Sequence, residues 1–170
     1  MPAKISLKTL KKVRPEILLR LIENAKTRLK KDETMQRICK EYGQSIDIID
    51  LIPTRFKELD VSAKTDHGIV YLNYALLEDG DFSKDYSYLI HEYSHFFQQC
   101  FNAKPTRSAN DGDYLENPYE QEGFQNQVEY IANHYGDDEA EGYVDDLLDH
   151  HEITKKTEKE DLKDVLLDKV

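Results

Sequence analysis

Two histidines and a glutamate interrupt an otherwise apolar stretch, "DYSYLIHEYSHFFQQC", residues 85–100. On a helix, residues four apart share a face, so His91 and His95 can present two imidazoles to a single ion. Glu92 is rotated by about 100° from His91 and can reach a water on that ion without ligating it. Histidine is doubled at a spacing that chelates, with a carboxylate placed for general-base work. The chemistry this points to is hydrolysis with a zinc ion as the single cofactor.

A catalytic zinc site takes three protein ligands and keeps one position open for water, so two histidines are not enough. A metzincin continuation would need Gly at position 98 and His at 101, where this chain has Gln98 and Phe101. The third ligand must come from elsewhere. Downstream, "NPYEQEGFQNQVEYIANHYG" has Pro118 in a first helical turn and an apolar stripe of Tyr119, Phe124, Val128, Ile131 and Ala132. Glu120 and Glu122 stand near its beginning. Glu120 follows His95 by 25 positions, enough for the chain to cross a loop and return a carboxylate to the first helix, and Glu122 is the alternative ligand.

The helix that carries the histidines has its own signature. Tyr86, Leu89, Ile90, Tyr93, Phe96, Phe97 and Cys100 project away from His91 and His95 at helical spacing, which predicts one core face and one face on a cleft. Ser83 is the expected N-cap. Before it, "LDVSAKTDHGIVYLNYALL" reads as a β-hairpin turning at "KTDHG", with Gly68 able to take positive φ. Pro15 opens an amphipathic helix ending near Lys31, and a second helix runs from Asp32 to a Gly43 cap, together a helical hairpin. "SIDIIDLIP" is rich in β-branched residues and reads as a strand. The last twenty residues are mostly charged, with a weak Leu162, Val165, Leu166 stripe, and read as a frayed or partner-dependent helix.

Composition narrows the function classes. At 170 residues the chain has room for one domain with a real core. Its net charge of −11 is unlike that of a nucleic-acid binder. The sign is unevenly spread: residues 1–31 hold ten Lys/Arg against Glu16 and Glu23, and residues 136–170 hold thirteen Asp/Glu against five Lys. Both runs read as solvated helix faces. No run of about 18 apolar residues and no signal-peptide pattern is present, which predicts a cytoplasmic protein with no membrane partner. Cys39 and Cys100 are expected to be reduced and buried. His150 and His151 are adjacent and point in different directions on a helix, so they read as solvated. Gln98 and Gln99 flank the ligand face, where they can hydrogen-bond a ligand histidine or be solvated, and solvation is the preferred reading; Tyr130 and His134 can serve as oxyanion donors, with packing or a surface position preferred.

"HEYSH" followed by "NPYEQEGF" resembles the small gluzincin metallopeptidases, a group that includes SprT-like and ImmA/IrrE-type proteases and phage-associated zincin-like proteins. The resemblance covers roughly residues 60–135. It implies a zincin-like α+β fold with an N-terminal helical hairpin, a small sheet, and an HExxH helix packed against a second, ligand-bearing helix. His91, His95 and Glu120 would be the zinc ligands and Glu92 the general base, acting on a protein or peptide substrate. Glu120 is preferred to Glu122 because the family's small residue lies three positions after its ligand, where this chain has Gly123 in place of the usual alanine. The strand "GIVYLN" resembles the edge along which such enzymes lay out substrate. The expected organisation is a helical segment over 1–45, a catalytic core over 46–150 and a charged tail over 151–170. The alternatives are a catalytically silent zincin-fold module and a DNA-associated protease, the latter motivated by the basic first 31 residues.

Overall fold

The computed structural model describes residues 7–101 and 114–170. The fold is α+β, mostly helical with one three-stranded sheet. The chain separates into two compact units, Met1–Asn102 and Ala103–Val170. The stretch between the histidine helix and residue 114 lies outside the described residues.

In the first unit a short α1 (Leu7–Leu10) precedes α2 (Pro15–Leu29) and α3 (Glu33–Glu41). Pro15 sits at the start of α2, where its missing N–H costs nothing, and Ile22, Ala25 and Leu29 are its buried stripe. Asp32 caps α3 by accepting from the Met35 N–H at 3.0 Å, and Gly43 follows with φ +68°. Both helices form where their caps and stripes imply, and each packs on the segment that follows at 46–51.

"SIDIIDLIP" is a correction. Residues Ile46–Leu51 form a 3₁₀ helix rather than a strand, capped by Ser45 through the Asp47 N–H. Ile46, Ile49 and Ile52 recur every third residue, the period of a 3₁₀ turn, and the last two are fully buried.

Next come β1 (Thr54–Lys57), β2 (Ala63–Asp66) and β3 (Ile69–Asn73), in sheet order β1-β3-β2. β2 and β3 make the expected hairpin, Asp66 opposite Ile69, turning through His67 (φ +50°) and Gly68 (φ +75°). Two consecutive positive φ values are the requirement of a type I′ turn. β1 pairs in parallel with β3, Thr54 opposite Val70. Thus β3 is central, and it cannot serve as the substrate-binding edge that "GIVYLN" suggested: β1 occupies that side.

α4 (Tyr86–Phe101) carries the histidines. The N-cap expected at Ser83 is not used. Asp81 instead caps a preceding 3₁₀ turn, Phe82–Asp85, and takes both the Ser83 N–H and its hydroxyl. Beneath α4, Tyr93 is fully buried and pairs with Thr54 at 2.8 Å. The single Thr54 hydroxyl proton goes to the Ile52 carbonyl at 3.0 Å, so Tyr93 is the donor to Thr54.

The second unit consists of α5 (Pro118–Tyr135), α6 (Asp137–His150) and α7 (Lys156–Leu166). Leu115, Phe124, Val128, Ile131, Val144, Leu148, Leu162 and Leu166 share one core. The tail is therefore not frayed: α7 contributes Leu162 and a fully buried Leu166 to that core, and Gln125 Nε2 donates to the Val165 carbonyl at 2.8 Å. Among the described residues, no helix is long and apolar enough to cross a membrane.

Candidate metal centre

α4 brings His91 and His95 together one turn apart. Their Nε2 atoms face each other at 3.1 Å, with the rings nearly perpendicular at 76°. His91 and Glu92 are buried and His95 is half-buried. A carboxylate oxygen of Glu92 completes the group, all three candidate ligand atoms lying within 4.8 Å of one another. The donor set fits a borderline divalent metal. Two imidazole nitrogens 3.1 Å apart are closer than twice the zinc–imidazole bond of about 2.0–2.1 Å, so both can touch one ion.

The β2–β3 hairpin covers this face of α4. Thr65 Oγ1 donates to the Glu92 backbone carbonyl at 2.9 Å and stands 3.5 Å from Glu92 Oε1. Four residues past His95, Gln99 accepts from the Gly68 N–H at 3.0 Å and donates to the Thr65 carbonyl at 3.3 Å. Helix and hairpin are thereby fixed in register, and the ligand face is more enclosed than an open cleft: Ser94 and Gln98 are buried with His91 and Glu92.

Neither glutamine is simply solvated. Gln99 latches the hairpin, and Gln98 is 1 % exposed with Oε1 2.7 Å from His95 Nδ1. Solvation, the reading preferred from the sequence, therefore gives way for Gln98 to the alternative, a bond to a ligand histidine. Cys39 is buried as expected, its thiol pushed up to about 11 by burial. Cys100 is exposed instead, in the last turn of α4.

Glu120 and Glu122 lie at the start of α5 in the second unit, both half-buried. Glu120 acts electrostatically on His151, whose pKa burial and the neighbouring His150 lower and Glu120 raises. His151 is not fully solvated, since it stacks on Tyr114 with centroids 5.1 Å apart. Tyr130 is a packing residue, buried and tilted against the exposed His134 at 4.1 Å.

The basic N-terminal run is partly neutralised within its own unit. Lys11 pairs with Glu58, Lys30 with Asp47 and Asp50, and Lys26 donates to the Ile52 carbonyl at 2.6 Å. Arg28 lies over the Tyr86 ring.

Asp85, at the entry to α4, has its carboxyl pushed up to about 6, first by burial and then by the charges of Asp79 and Asp81, with Lys84 opposing. A carboxyl whose folded pKa exceeds its unfolded value binds protons more tightly when folded. Stability therefore falls as pH rises from about 4 through 6, and the cost is complete above 6. Asp85→Asn should stabilise the first unit by ~1 kcal/mol at pH 7.5 after solvent screening of this part-exposed group, and by nothing near pH 4. Urea unfolding of both proteins at the two pH values, followed by hydrogen exchange of amides in α4, checks this; an equal shift at both would remove the ionisation as its cause.

No protein-family model matches the chain, and neither a curated protein nor a solved structure matches it.

Proposed function

We propose that the chain is a zinc-dependent peptidase whose metal is held by His91 and His95 and whose general base is Glu92. The observation that carries this reading is the pair of Nε2 atoms 3.1 Å apart with an acid on the same helical turn. The third ligand expected from the sequence is Glu120, with Glu122 as the alternative.

When bound, zinc supplies Lewis acidity, drawing the pKa of water towards about 7 and polarising a substrate carbonyl. The chain's residues do the rest. Glu92 accepts the proton of the attacking water and returns it to the amine that leaves as the C–N bond breaks. Thr65, whose hydroxyl donates to the Glu92 backbone carbonyl, anchors this turn of α4 to the hairpin.

Substrate is assigned to the outer edge of β2. Asn73 donates to the Ser62 carbonyl, so the alternation of an antiparallel ladder turns the backbone groups of Ala63 and Thr65 away from β3. The Thr65 carbonyl is occupied by Gln99, which leaves Ala63 and the Thr65 N–H as the main-chain partners for an extended peptide, a mode tolerant of many side chains.

The zinc-loaded chain, incubated with a complex peptide mixture, should generate new N-termini detectable by mass spectrometry, and a zinc chelator should suppress them. A folded, zinc-loaded chain that generates none would count against peptidase activity.

A further inference from the structure

We infer that Gln98 is a positioning residue that fixes the tautomer of His95, leaving His91 as the histidine that rearranges when metal enters. The inference rests on the metal site proposed above. Gln98 lies three residues beyond His95 on α4, 1 % exposed, with its Oε1 2.7 Å from Nδ1. An amide oxygen only accepts, so the ring nitrogen it faces must carry the proton. A neutral imidazole has one N–H, and His95 Nε2 is therefore left with its lone pair.

That lone pair faces His91 Nε2 at 3.1 Å. Two lone pairs at this distance repel, so in the metal-free protein His91 carries its proton on Nε2 and donates it to His95. A metal needs a lone pair from each ring. His95 already offers one, whereas His91 must give up its Nε2 proton and take one on Nδ1, an exchange with water that leaves both rings neutral. Hydrogen bonds of this kind, from the far ring nitrogen to a carbonyl, orient metal-bound histidines and raise their basicity. The sequence has this device at a position three residues past the second histidine, on the same helix.

The test is the nitrogen-15 signature of the two rings in the metal-free and zinc-loaded protein, beside zinc affinity measured by chelator competition. In the metal-free wild type, His95 should be protonated at Nδ1 and His91 at Nε2; zinc should move the His91 proton to Nδ1 and leave His95 unchanged. Gln98→Met keeps the size of the side chain and removes the acceptor. It should release His95 from the Nδ1–H form and weaken zinc binding by about 10–100-fold. Gln98→Glu retains an acceptor oxygen and cannot donate, so it should keep Nδ1 protonated. A metal-free wild type with His95 protonated only at Nε2, or a Met variant with an unchanged His95 signature, would overturn the assignment. Because the ring signature needs no metal, a wild type that shows it and takes up no zinc would defeat the metal site while supporting the role of Gln98.

Discussion

Glu92→Gln is expected to lower peptide hydrolysis by roughly 10²–10⁴-fold, the range that a positioned general base supplies. The substitution is close to isosteric. Its amide oxygen can keep the same distance from Thr65 Oγ1 that Oε1 has in the wild type, and the Thr65 bond to the residue-92 carbonyl is untouched. It cannot accept a proton at neutral pH. The histidine pair, one turn of α4, is unchanged, so zinc content should stay at the wild-type value. Initial rates and metal content on the same preparations separate the two effects. Unaltered rates would show that Glu92 is not the base. Zinc loss in the variant would make Glu92 a ligand instead, which its place within 4.8 Å of both histidine nitrogens would accommodate.

Leu166→Ala should destabilise the second unit by about 2–5 kcal/mol, the usual cost of truncating a fully buried leucine to alanine. Leu166 is 0 % exposed and belongs to the core shared by α5, α6 and α7. The loss should be local. Hydrogen exchange is the suitable measurement, because a chain of two compact units does not have a single unfolding free energy. Amides over 114–170 should lose protection, while those of α2 and the buried part of α4 keep theirs. Unchanged protection over α5 would mean that the C-terminal helix docks without supporting its neighbours.

These two positions also show which parts of the molecule are legible in its sequence. The hairpin, the two N-terminal helices, α4 and α5 are signalled locally: Pro15 and Pro118 at first turns, Asp32 as a cap, His67-Gly68 as a turn, histidines four apart. Leu166 depends on partners far away in the chain. A leucine stripe among charges has no visible purpose until α5 and α6 are folded beside it. β1 was missed for the same reason, since "TRFK" has four residues, two of them charged, and becomes a strand only by pairing with β3. That pairing also moved the open edge from β3 to β2. At 46–51 the β-branched residues pointed to a strand while their spacing of three, the informative feature, pointed to a 3₁₀ turn. At the site, His91, Glu92 and His95 were legible because their chemistry lies within a single turn. For Gln98 the sequence leaves two partners open, a ligand histidine or water, and its burial decides for the ring.

The most direct test of the central claim is zinc content per chain, measured by elemental mass spectrometry on the wild type, His95→Ala, Glu120→Ala and Glu122→Ala after exposure to zinc and removal of excess. About one zinc is expected in the wild type and in Glu122→Ala, and loss of tight binding in His95→Ala and Glu120→Ala. A folded wild type that retains no zinc would contradict it, and "HEYSH" would then be two hydrogen-bonded histidines in the wall of a helix.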